Sequence, residues 1–249
     1  MSQKLLAYEH EPSAHEQTTG RTILVAVASN FTAPMKTIVT DFEKKTGHKV
    51  TLAFSSSGKL YAQIRNHAPF HLFLSGDVAK PRALEKEALI VPTSRFTYAI
   101  GTLVLWSRNP TLVNEDLAIL KSLSFNRLAI ANPKIAPYGA AAEQVLKSLN
   151  LYDAVYPKLI RGDNISQTFQ LVWIGSADLG LVSLSQLVVG GTLRAGSAWI
   201  VPGNRHSPIR QDAVLLLPGR KNNAAIDLLN YLQSEAAKKV IVDYGYRLP

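Results

Sequence analysis

Cysteine is absent from the 249 residues. That excludes a disulfide framework, a thiolate zinc site, an iron–sulfur cluster and a cysteine nucleophile. Long apolar runs are absent too. None approaches the roughly 18–20 residues that span a bilayer, and the longest, such as Val214–Pro218, have the length of a strand. Metal and nucleophile motifs are also missing. There is no HExxH or related spacing, and His67 and His71, four apart, have Pro69 between them to break a helical face. No GxSxG elbow and no convincing Ser/His/Asp set occur, and the chain is expected not to be an enzyme. Acid is scarce relative to base: 18 Asp and Glu against 27 Lys and Arg give +9. Residues 1–20 hold one Lys and three Glu, which leaves +11 on the remainder. Such a surplus suits an anionic partner: nucleic acid, an acidic membrane or a small anion. The basic residues are scattered, as at Arg65, Lys80, Arg127, Lys134 and Arg210, with no basic stripe interleaved with aromatics. Nucleic-acid binding is therefore not expected.

What is present is a globular composition, 47 % apolar and 18 % charged. Residues 1–21 are polar and lack the apolar stretch of a secretory signal. They are expected to be a disordered leader, either standing where a signal was removed or forming the ragged start of a cytosolic protein. From Arg21 the pattern alternates. RTILVAVA (Arg21–Ala28) reads as a buried strand, and Met35, Ile38, Val39 and Phe42 recur at helical spacing until Gly47 stops the helix. Val50–Phe54 and His71–Leu74 read as further strands, each running into a turn and a helix. After the strand-rich Tyr98–Ser107 the alternation resumes with RLAIA (Arg127–Ala131), the helical Ala140–Leu149, Gly162-Asp163-Asn164 before another helix, and DLGLV (Asp178–Val182). Ala213–Leu217 is a last strand, and Ala224–Val242 supplies one or two helices. Two β-α runs of this kind imply an α/β fold with mostly parallel sheets.

The strand-to-helix turns share one chemistry. Ser29-Asn30, Ser55-Ser56-Ser57-Gly58 and Pro137-Tyr138-Gly139 combine hydroxyls and bare amides at helix starts. Ser29-Asn30 can be merely a cap, and Pro137-Tyr138-Gly139 merely a turn. The three serines are more informative, because one suffices to cap a helix. They do not form a phosphate-binding P-loop, since GxxxxGK[ST] is missing. A helix N-terminus offers unsatisfied N–H groups and the positive end of a dipole, an anion site that needs no Lys or Arg. In open α/β sheets ligands collect at this end of the strands.

In order along the chain, VAVASNF (Val25–Phe31), FSSSGKLYAQI (Phe54–Ile64), APFHLFLSGD (Ala68–Asp77), RLAIANPKIAPYG (Arg127–Gly139), LGLVSLSQ (Leu179–Gln186) and the ending VDYGYRLP resemble the periplasmic molybdate-binding proteins, receptors of molybdate ABC importers. The resemblance covers roughly Thr22–Pro249. It implies a two-lobed type II periplasmic-binding-protein fold with two hinge-crossing strands, near Tyr98–Leu103 and Arg210–Leu215. Lobe 1 is then 22–100 plus 214–249, and lobe 2 is 101–213. It implies capture of molybdate or tungstate between the lobes, delivery to a membrane permease, a periplasmic location, a monomer, and no cofactor or direct protein-to-metal ligand. Another tetrahedral oxyanion such as sulfate is the alternative cargo. Position by position, Ser29 matches the hydroxyl residue of the first turn, Asn30 offers its N–H, Ser57 offers hydroxyl and amide, and Ile165 donates an N–H at a helix start. Tyr138 stands at the PxG position, where some members have a small residue and use only its amide. Since Ser183 replaces a Tyr that some members carry after the LGLV-type strand, Tyr138 is expected to supply the phenol. His71 stands where an Asp is usual, and a surface or inter-lobe role is expected for it.

Overall fold

A computed structural model of the chain describes residues 22–189, 192–193 and 195–249, so the leader expected at 1–21 lies outside the described residues. In chain order the elements are β1 (Thr22–Ala28), α1 (Thr32–Thr46), β2 (Lys49–Ser55), α2 (Ser57–Arg65), β3 (Leu72–Leu74), α3 (Ala79–Lys86), β4 (Phe96–Gly101), β5 (Leu103–Ser107), α4 (Ala118–Ser122), β6 (Leu128–Ala131), α5 (Pro137–Ser148), α6 (Tyr152–Val155), β7 (Leu159–Gly162), α7 (Ile165–Trp173), β8 (Leu179–Ser183), β9 (Val188–Val189), β10 (Thr192–Leu193), β11 (Ser197–Ile200), β12 (Ile209–Leu215), α8 (Asn223–Tyr231) and α9 (Glu235–Asp243).

Strand alternation decides the layers. In β1, Ile23, Val25 and Val27 join one apolar cluster while Leu24 and Ala26 join another. In β5, Leu103 and Leu105 split from Val104 and Trp106 in the same way. Successive side chains point to opposite faces, so an unbroken apolar run forms only where both faces are covered. Each lobe is accordingly one five-stranded sheet between two helical layers. The first has the order β2-β1-β3-β12-β4, and the second β11-β5-β8-β6-β7. The α-β units pair in parallel (β1 with β2 and β3, β6 with β7 and β8), whereas β12 runs antiparallel to both β3 and β4.

The chain passes between the sheets twice, at Thr102 between β4 and β5, and through 201–208 between β11 and β12. Tyr98–Ser107, one run in sequence, therefore serves both sheets. The sequence boundary at 213/214 falls inside β12, which lies whole in the first sheet, so residues 209–213 belong with lobe 1. Helices α8 and α9 return to that lobe, where Leu228, Leu229 and Ile241 pack with Ile23 and Phe42. Gly47 ends α1 at φ 72°, a left-handed conformation in which a Cβ is strained. Among the described residues no helix is long and apolar enough to cross a membrane.

Candidate functional site

Four helix starts meet between the lobes: the 3-10 turn Ser29–Phe31 ahead of α1, then α2, α5 and α7. They line one small cavity, of about 10 Å³. Pockets for organic ligands run to roughly 300–1,000 Å³, so this one is far too small for such a ligand. Ser29, Asn30, Ser57, Tyr138 and Ile165 all line it, together with Ala28, Ser55, Ser56, Ala136 and Pro137. Among the described residues no Lys, Arg, Asp or Glu is in the lining. Among the described residues no cluster of His, Asp or Glu is arranged to hold a metal ion.

Local hydrogen bonding determines which donors remain. The first N–H groups of a helix have no intrahelical acceptor. In α2 the Ser56 side chain accepts from Lys59 N–H, and Gly58 N–H donates across the lobes to Ile135 O at 2.9 Å, which leaves Ser57 N–H. In α7 the Asn164 side chain accepts from Ser166 and Gln167 N–H, which leaves Ile165 N–H. In α5 Gly139 and Ala140 N–H both donate to Ala136 O, which leaves Tyr138 N–H. Asn30 N–H sits in the opening turn of its own helix start. Two hydroxyls add to the set. Ser57 Oγ accepts from Gly76 N–H at 2.8 Å, so its own O–H is free to donate. Ser29 Oγ has no partner among the described residues. These groups are neutral, and the positive potential comes from aligned peptide dipoles.

The lobes are closed on one another. Besides Gly58 with Ile135, Ser166 Oγ donates to Ser29 O at 3.1 Å and Ser185 Oγ to Asn30 O at 2.8 Å. At the rim the Lys59 ammonium meets the Asp163 carboxylate at 2.6 Å, both about half exposed. An added Cβ on Gly58 would lie 2.9 Å from the Ile135 backbone, so closure at this distance requires glycine.

The Tyr138 phenol, expected to meet the ion, has protein partners. Its Oη accepts from Gln211 Nε2 at 3.3 Å and fills the space that Gly101 leaves by lacking a Cβ. What Tyr138 leaves unpaired at the helix start is its N–H. His71, expected at the surface or between the lobes, makes its described hydrogen bonds within lobe 1: its Nδ1 accepts from Leu24 N–H at 3.0 Å, and its backbone N–H donates to Leu24 O at 2.8 Å. It ties the segment before β3 to β1 within lobe 1.

Behind the cavity lies a buried polar cluster that sequence reasoning missed. Asn30 Nδ2 donates to Gln211 Oε1 at 2.7 Å and to Tyr246 Oη at 2.9 Å. Tyr98 Oη donates to Gln211 Oε1 at 3.0 Å, and Tyr246 Oη contacts Asn30 O at 2.7 Å and Ser185 Oγ at 3.0 Å. Ser183 Oγ pairs with Ser185 Oγ at 2.8 Å. Burial pushes all three phenols up, Tyr98 and Tyr138 well above the usual range and Tyr246 to about 12. They stay protonated, neutral partners at any physiological pH.

Comparison with known proteins adds a second line of evidence. The family model for bacterial extracellular solute-binding proteins matches residues 23–247. The chain is 53 % identical over 226 residues to the molybdate-binding protein ModA of Azotobacter vinelandii, covering 91 % of this chain and 90 % of that one. It is 46 % identical to the protein of the same name from Rhodobacter capsulatus, covering 90 % and 87 %. The solved structure of a periplasmic molybdate-binding protein of Azotobacter vinelandii superposes with a TM-score of 0.89 at 37 % identity, over 91 % of this chain and 99 % of that one.

Proposed function

Because the chain belongs to the bacterial extracellular solute-binding protein family and shares this identity with its molybdate-binding members, we propose that it captures molybdate between its lobes for delivery to an ABC importer. One observation carries the reading: four helix starts direct neutral donors into one small cavity. We assign the contacts to Ser29 Oγ–H, Asn30 N–H, Ser57 N–H and Oγ–H, Tyr138 N–H and Ile165 N–H. Molybdate is a tetrahedral dianion at neutral pH and presents acceptors alone, so six donors match it. Hydrogen phosphate carries an O–H that finds no acceptor matched to it in such a set. Hydrogen bonds to a charged partner contribute about 1.5–3 kcal/mol each. Six of them offset association losses of several kcal/mol and support sub-micromolar binding.

Tungstate, of nearly the same size and charge, is proposed as a second cargo. Sulfate has shorter bonds to oxygen, and a cage of fixed donors holds it less well. We further propose that the chain works as a monomer in the periplasm, holds no resident cofactor, catalyses no reaction, and presents its closed face to a membrane permease. Calorimetry with molybdate, tungstate, sulfate and phosphate tests the reading. Molybdate and tungstate should bind alike and far more tightly than the other two. Sulfate binding as tight as molybdate overturns it.

A further inference from the structure

We infer that Gln211 is the positioning residue that sets the spacing between the two walls of the anion cavity. The inference rests on the molybdate reading and assigns it a residue that lines no part of the site. Gln211 lies near the start of β12, the strand of lobe 1 that follows the second crossing between the lobes, and the pairing of β12 with β4 shifts register between Gln211 and Asp212. A bulge inserts a residue and re-aims the side chains beside it. Here it turns two successive polar residues inward, both fully buried. Asp212 faces Arg95 at 2.9 Å and Thr97 at 2.7 Å. Gln211 faces the back of the cavity.

Its amide is used from both ends. Oε1 accepts from Asn30 Nδ2 at 2.7 Å and from Tyr98 Oη at 3.0 Å, both in lobe 1. Nε2 donates to Tyr138 Oη at 3.3 Å, in lobe 2. Asn30 and Tyr138 both line the cavity, one from each lobe. A single planar group thus holds the two residues whose backbone N–H groups bracket the ion. An amide offers an acceptor on one side and a donor on the other; a carboxylate loses the donor, and an apolar chain loses both. The side chain does not touch the ion, so its effect passes through Asn30 and Tyr138.

The experiment is a double-mutant cycle on molybdate affinity. It uses the full chain, Gln211→Met, Tyr138→Phe and the double variant, with the melting temperature of each ligand-free protein alongside. Gln211→Met should weaken molybdate binding at least tenfold, mostly through faster release, while the ligand-free protein melts within a few degrees of the unaltered chain. Tyr138→Phe alone should weaken binding about threefold, and the double variant should bind no worse than Gln211→Met, because both remove the same link. Gln211→Asn keeps the amide but is too short to reach both walls. It should show the same loss, and it replaces Gln211→Met where that variant does not melt cooperatively. Affinity within twofold of the unaltered chain, or losses that simply add in the double variant, overturns the inference. Failure of the unaltered chain to bind molybdate overturns the receptor reading itself.

Discussion

Two adjacent serines give the sharpest test of the site. Ser56 and Ser57 both line the cavity and both are buried. Ser56 is the helix cap: its Oγ accepts from Lys59 N–H at 3.3 Å. Ser57 Oγ instead accepts from Gly76 N–H at 2.8 Å, which leaves its proton free to donate. Ser57→Ala removes one charge-assisted bond of about 1.5–3 kcal/mol, which is roughly a 10- to 150-fold loss of molybdate affinity. It also strands Gly76 N–H, at about 1 kcal/mol of ligand-free stability, or about 2–4 °C for a chain of this size. Ser56→Ala costs about 1 kcal/mol of stability through the lost cap and should leave affinity within about threefold. Calorimetric titration with molybdate and thermal unfolding of the ligand-free proteins separate the two quantities. Equal affinity losses for the two variants, or a Ser57→Ala loss below twofold, would refute the division of labour between these hydroxyls.

Gly58→Ala places a methyl group against the Ile135 backbone, which cannot yield, so closure is blocked. Molybdate affinity should fall at least about tenfold with the ligand-free melting temperature little changed; unchanged affinity would show that this contact does not gate closure. Lys59→Gln breaks the ion pair with Asp163, but both groups are about half exposed, so the cost should stay within about 1 kcal/mol and shrink further at high salt. A larger loss in titration would place Lys59 in the site after all. The buried phenols predict an alkaline limit. Their folded-state ionisation lies above the ordinary value near 10, at about 12 for Tyr246. The unfolded chain thus loses protons first, and stability that is intact below about pH 10 falls as the pH rises toward 12. Urea unfolding at steps across that range measures it, Tyr246→Phe should flatten the fall, and an unchanged slope would mean that the phenol is not withdrawn from water.

The features legible in the sequence are those set by near neighbours. Apolar runs give β1, β2 and β6; helical spacing gives α1 and α5; Ser, Asn and Pro before such runs mark helix starts. The helix starts at Ser29-Asn30, Ser57 and Tyr138 were legible in this way, whereas Ile165 entered only through the resemblance to the molybdate-binding proteins; all five line one cavity. Contacts made at long range were not legible. Gln211 meets Asn30 across 181 positions and Tyr246 meets it across 216. In the sequence Gln211 is one polar residue beside another in a strand, and no local signal marks a bulge. Ser197–Ile200 is too short to stand out as β11. The direction of the Tyr138 phenol depends on Gly101, a glycine that looks like an ordinary strand interruption until the opposing ring is in place.

On the proposed reading, the cavity also accounts for release of the ion. A Lys or Arg in the lining would attract any anion and would require desolvation of a full charge; dipoles at helix starts are already fixed and carry no such cost. With no side-chain charge in the lining, the +9 of the chain acts only at long range, where salt screens it. What remains is division of the donors between the lobes. Ser29, Asn30 and Ser57 belong to lobe 1 and supply four of the six assigned groups; Tyr138 and Ile165 belong to lobe 2 and supply two. Opening removes the second pair together, about 3–6 kcal/mol at 1.5–3 kcal/mol each, or roughly 10²- to 10⁴-fold in affinity. Whatever holds the lobes apart, therefore, needs no contact with the ion to discharge it. The polar cluster around Gln211, bonded to both walls, sits where closing force and donor spacing are set by the same few hydrogen bonds.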